Sequence, residues 1–117
     1  MKKIIFYSYL KCSTCRKAAK WLENKYFEYQ LIDIVKQPPL LNYLNLALEQ
    51  CSDDKKRIFN TRGKAFKNLN RDIDGLSREE IIKLLLSDGK LIKRPFLING
   101  EKILLGFNEA EYSNHFL

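Results

Sequence analysis

The pair Cys12-Ser13-Thr14-Cys15 stands between a short apolar run, Ile4-Ile5-Phe6-Tyr7, and a stretch with helical periodicity. The run is rich in β-branched and aromatic residues, which predicts a buried strand. Beyond the motif, Cys15, Ala18, Ala19 and Leu22 recur on one helical face, and Arg16, Lys17, Lys20 and Glu23 occupy the other. Ser13 or Thr14 is expected to cap this helix, which leaves Cys12 at or just before its first turn. Residues 27–34 alternate and then turn apolar, a second strand. About three helical turns separate the two strands, so they are expected to pair parallel in a βαβ unit.

Pro38-Pro39 ends that strand and opens a helix from about residue 40 to 51, with proline in its first turn. A helical turn over 55–59, the turn or loop Asn60-Thr61-Arg62-Gly63 and a short helix or irregular segment over 64–70 follow. Ser77-Arg78-Glu79-Glu80 is a capping box ahead of Ile81-Ile82-Lys83-Leu84-Leu85-Leu86, and Asp88-Gly89 closes that helix. Arg94-Pro95 introduces the strand Phe96-Leu97-Ile98. Asn99-Gly100 turns it into a hairpin with Lys102-Ile103-Leu104-Leu105. A closing helix starts at Asn108. The expected architecture is α/β: one domain over residues 1–117, with a small mixed sheet (β-α-β … β-β-α) whose halves flank a helical insertion over about 38–89.

A cysteine attacks only as its thiolate, so a reactive site must lower the thiol pKa from about 8.5. A helix N-terminus presents partial positive charge and free N–H groups at Cys12, and Lys11 and Arg16 add cationic charge nearby. Cys15, one turn further in, suits a resolving thiol. The alternative is half of a zinc site. Only Cys51 and His115 remain as further ligands and no metal-binding spacing joins them, so no metal is expected. Cys51, near a helix end, reads as a partly buried small hydrophobe, and His115 as a surface histidine. Arg94-Pro95 is compatible with a cis bond beside a functional loop, where Arg94 could hold an oxyanion or a thiolate. It is equally compatible with a plain strand start. Thr61 and Arg62 could clamp an anion from the 60–63 turn, or simply be solvated.

Lysine and arginine number 21 against 14 aspartates and glutamates, a formal net charge of +7. The cations are dispersed, which excludes a basic tail and fits either an anionic partner or a solvated lysine-rich surface. Three cysteines make no disulfide framework and fit a reducing compartment. The N-terminal apolar run stops at Lys11 without a small-residue cleavage site. No stretch approaches the roughly 18 apolar residues of a membrane span. A soluble, cytoplasmic monomer is expected. Direct nucleic-acid binding is not, because no aromatic stacking motif is present.

Tyr7, Cys12-Ser13-Thr14-Cys15-Arg16-Lys17-Ala18, Trp21-Leu22, Pro38-Pro39, Phe59-Asn60-Thr61-Arg62-Gly63, Leu91-Ile92-Lys93-Arg94-Pro95 and Gly106-Phe107-Asn108-Glu109 together resemble the arsenate reductase/Spx-like (ArsC) family of thioredoxin-fold proteins. The resemblance spans nearly the whole chain and implies a glutaredoxin-like core with a helical insertion. In arsenate-reducing members the residue matching Cys12 attacks the oxyanion, and arginines matching Arg62 and Arg94 bind it. Glutathione with glutaredoxin then completes the cycle. In the Spx branch the matching CxxC is a redox switch, and the protein binds the C-terminal domain of the RNA polymerase α subunit. The arsenate-reducing branch carries a third arginine where this chain has Leu105-Gly106-Phe107, and it usually lacks the second cysteine. In place of the Asn-Pro common before the nucleophile stands Tyr9-Leu10-Lys11. Length and motifs look most like a third branch of short, arsenate reductase-like proteins.

The reading this supports is a thiol–disulfide oxidoreductase. Cys12 is its nucleophile and Cys15 its resolving thiol. Arg62, Arg94 and Thr61 hold an anionic substrate, with Pro95 structural at the site. No bound cofactor is expected; glutathione with glutaredoxin, or thioredoxin, would supply electrons. The alternatives are an Spx-like redox-switched regulator that binds the polymerase α subunit and a glutaredoxin-coupled arsenate reductase.

Overall fold

A computed structural model describes residues 3–117. Met1 and Lys2 lie outside them. The first strand, β1 (Ile4–Ser8), is apolar as far as Tyr7 because the sheet is covered on both faces. Its side chains alternate. Ile4 and Phe6 enter one layer with Ala18, Trp21 and Leu22 of helix α1 (Ser13–Asn24) and Tyr112 of helix α5 (Glu109–Phe116). Tyr7 enters the other layer, with Leu44, Ala47 and Leu48 of α2 (Leu41–Cys51) and Ile81, Ile82 and Leu85 of α4 (Arg78–Ser87).

β1 pairs parallel with β2 (Tyr29–Asp33) and antiparallel with β3 (Phe96–Asn99), and β3 pairs antiparallel with β4 (Lys102–Leu105). The strand order is β2-β1-β3-β4, so β1 and β3 are central. This is the mixed α/β sheet expected from the sequence. The stretch between β2 and β3 carries α2, the short α3 (Lys64–Leu69), α4 and three single 3-10 turns at Lys55–Ile58, Ile73–Gly75 and Gly89–Leu91.

Several local expectations change. Cys12, and not Ser13 or Thr14, caps α1, because Cys12 is the last extended residue (φ −98°, ψ 115°) and its sulfur accepts from the Cys15 amide. Pro38 and Pro39 lie before α2 and not in its first turn; Leu40 is the cap and offers no side-chain acceptor. The capping box at Ser77 forms: Glu80 N donates to Ser77 Oγ at 3.1 Å, and Ser77 N to Glu80 Oε1 at 3.1 Å. Gly89 does not close α4 in a left-handed turn. A Cβ there would collide with the Ile34 carbonyl, so close backbone approach is what requires glycine.

Two contacts tie the helical stretch to the sheet. Phe59 bridges Ile92, flanked by Asn60 N donating to Leu91 O and Lys93 N donating to Ile58 O, each at 2.8 Å. This fastens the 60–63 turn beside the approach to Arg94. At the open edge of β4, Gln50 Nε2 donates to Glu101 O at 2.8 Å and Ile103 N donates to Gln50 Oε1 at 3.0 Å. One side-chain amide thus satisfies backbone groups that an edge strand leaves unpaired. Among the described residues no helix is long and apolar enough to cross a membrane.

Candidate active site

β1 ends at Ser8, and the chain turns through Tyr9, Leu10 and Lys11 into α1. The turn is held by Cys12 N donating to Tyr9 O at 3.0 Å and by Arg16 Nη1 donating to Leu10 O at 2.7 Å. Arg16 therefore braces the loop as well as carrying charge. Cys12 is partly exposed at the start of α1, and Cys15 is 1% exposed beneath it. Cys15 N donates to Cys12 Sγ at 3.4 Å. All three cysteines are free thiols.

The two thiols of the motif are pushed in opposite directions. Burial works against a Cys12 thiolate, but the Cys15 thiol and amide both donate to it and the Arg94 guanidinium stands nearby. Together these outweigh burial and hold the Cys12 thiol below its ordinary value. Burial, and then donation of its proton to Cys12, push Cys15 up to about 11, against hydrogen bonds involving the Ser8 side chain and the Tyr9 backbone.

Arg94 approaches from the start of β3. The Arg94–Pro95 peptide bond is cis. The guanidinium carbon lies 5.0 Å from the Tyr9 ring centroid, a cation–π contact that holds the side chain over the Cys12 loop. Arg94 Nη1 is buried and has no hydrogen-bond partner among the described residues. Pro95 is buried, and its carbonyl accepts from Gly106 N at 2.9 Å.

Cys12, Cys15, Arg94 and Pro95 thus come together at one end of the sheet. Thr61 and Arg62 stand on the exposed 60–63 turn, and neither side chain makes a hydrogen bond or ion pair among the described residues. His115 is half-buried: its Nε2 lies 2.9 Å from Asn99 Oδ1, and its ring packs on Phe116. Cys51 is buried, more deeply than the partial burial its sequence context suggested. Among the described residues, no three His, Cys, Asp or Glu side chains gather as a metal site would need.

Sequence reasoning missed Ser8, Tyr9 and Tyr112 as neighbours of the thiols. Ser8 was reachable: it follows Ile4 and Phe6 at period two, so it shares the face that α1 covers. Tyr112 had no signal. It is fully buried, its hydroxyl has no partner, and burial pushes it well above the ordinary tyrosine value, with Glu111 and Cys15 adding to the shift.

The ArsC family's sequence pattern matches residues 7–115, which takes in Cys12, Cys15 and Arg94. The chain belongs to the ArsC family. Bacillus subtilis YusI is 42% identical over 114 residues, covering 96% of this chain and 97% of that protein. The global transcriptional regulator Spx of Lactiplantibacillus plantarum is 31% identical over 108 residues, covering 92% of this chain and 82% of the regulator. Among solved structures, a possible arsenate reductase from Streptococcus mutans superposes with a TM-score of 0.88 at 38% identity, over 99% of this chain and all of that one. Family membership thus agrees with the thioredoxin-like fold and spans relatives described as a possible arsenate reductase and as a transcriptional regulator.

Proposed function

We propose that this ArsC-family protein is a thiol–disulfide oxidoreductase in which Cys12 attacks and Cys15 resolves. What supports this is the opposed ionisation of two thiols one helical turn apart, lowered at Cys12 and raised to about 11 at Cys15. The Cys12 thiolate attacks one sulfur of a disulfide; the S–S bond breaks, and the other sulfur leaves as a thiolate that takes a proton from water. Cys15 stays protonated while Cys12 is an anion. Once Cys12 is in the mixed disulfide, that anion is gone and Cys15 ionises more readily. Its thiolate then attacks Cys12 Sγ, expels the second thiol and leaves a Cys12–Cys15 disulfide. Two electrons have passed to the substrate. A thiol donor, glutathione with glutaredoxin or thioredoxin, returns them. Arg94 stabilises the attacking thiolate, and Arg62 and Thr61 receive an anionic part of the substrate.

The test is reduction of a small disulfide with each donor. Cys12→Ser should lose at least about a hundredfold in rate, and Cys15→Ser should accumulate the mixed disulfide, seen as a mass increase. Equal rates for wild type and Cys12→Ser overturn the proposal. Arsenate in the same assay tests the reductase alternative.

A second reading is favoured by the relationship to the Spx regulator. Oxidation of Cys12 and Cys15 would then alter a basic surface that docks on the RNA polymerase α C-terminal domain. Binding of that domain in only one redox state supports it, and binding in neither rejects it.

A further inference from the structure

A second cationic feature lies beside the thiol pair. An open depression of about 430 Å³ is floored by Phe59 and Leu105 and walled by Lys56, Arg57, Thr61, Lys93 and one acid, Asp54. Lys56, Arg57 and Lys93 make no side-chain hydrogen bond or ion pair among the described residues, and neither does Asp54. Three cationic residues therefore line one small space with a single carboxylate among its walls. Lys93 is held there by shape: its stem crosses Gly106, whose φ is 73° and where a Cβ would stand 2.9 Å from Lys93 Cε. Residues 93 and 94 split their charges, with Arg94 over Tyr9 toward Cys12 and Lys93 into the depression.

The distance between the two features follows from the sheet. Tyr7 pairs with Phe96 and Phe96 with Leu105. The exit of β1 toward Cys12 and the floor of the depression thus lie at one end of the sheet. They are two strand spacings apart, about 10 Å.

We propose that the depression is an anion subsite that holds a carboxylate of the disulfide substrate while a sulfur of the same molecule meets Cys12. The substrate class is the disulfide of a small, carboxylate-bearing thiol. This deepens the oxidoreductase reading and rests on it for the chemistry, but the subsite can be tested without turnover.

The kinetic test measures how fast the reduced protein reacts with 4,4′-dithiodibutyrate and with its dimethyl ester, which keeps the reach and removes the charge. Lys93→Gln should lower the acid-to-ester rate ratio about fivefold at low salt, the scale of an exposed ion pair. Lys93→Arg should restore the ratio. Lys83→Gln removes the same charge from the exposed face of α4 and should leave the ratio unchanged. An unchanged ratio in Lys93→Gln, or an equal fall in Lys83→Gln, overturns the subsite.

The binding test titrates glutarate, a dicarboxylate without sulfur, into the Cys12→Ser protein and follows amide NMR shifts. Shifts centred on residues 56, 57, 61 and 93 support the subsite, and their absence overturns it. If glutarate binds but wild type reacts with neither disulfide, the oxidoreductase reading falls and the subsite stands.

Discussion

The start of α1 and the end of α2 each carry a cysteine, on helices of 12 and 11 residues, and the two thiols are opposites. Cys12 sits where a helix points its free N–H groups and the positive end of its dipole. Cys51 is the last residue of α2, at the negative end, and is 3% exposed. Burial pushes the Cys51 thiol up; Arg57 opposes the shift and Asp54 adds to it. At Cys12 burial is outweighed by Cys15 and Arg94. A cysteine's reactivity here follows from which helix end holds it and which cation reaches it.

The largest expected effect is in labelling. With iodoacetamide at pH 7, Cys12 should react at least about a hundredfold faster than Cys51, as partly exposed, activated thiols do relative to buried ones. Mass spectrometry of quenched peptides measures both in one sample. Comparable rates would break the comparison.

Stability against pH sharpens it within the motif. Folding raises the Cys15 pKa from 9.0 to about 11, so the fold favours the neutral thiol. That contribution is fully present below pH 9 and is lost as pH rises through 11. Wild type should lose up to about 2 kcal/mol more than Cys15→Ala across that window, read from denaturant midpoints. Parallel curves for the two proteins would mean that Cys15 is not shifted.

Arg94→Met gives the smallest effect. Without the guanidinium, burial is less opposed and the Cys12 pKa rises. That rise slows Cys12 labelling at neutral pH by up to about tenfold, moves its pH–rate profile to higher pH, and leaves Cys51 as an internal standard. An unmoved profile would assign the activation to Cys15 and the helix end alone.

The fold was largely legible because period-two and period-3.6 patterns are local. Ile4-Ile5-Phe6-Tyr7 announced a strand buried on both faces, and Ser77 with Glu80 announced a helix start. The errors came where a local preference met a tertiary demand. Ser13 and Thr14 are better caps than cysteine by propensity, yet the loop braced by Arg16 leaves Cys12 as the last extended residue. Gly89 matched a helix-ending glycine, but its place is set by the Ile34 carbonyl, 55 positions earlier in the chain.

The sequence by itself determined the element order, the placement of the CxxC pair at a helix start, and the family. Those depend on residue types and spacings a few positions apart. Only the tertiary structure decided which cations serve the thiols. It set Arg94 over Tyr9 and turned Lys93 the other way across Gly106. It left Thr61 and Arg62 exposed on their turn and placed Tyr112 beside Cys15. Charge acts through space, and the distances between these groups are set by the packing of strands and helices far apart in sequence.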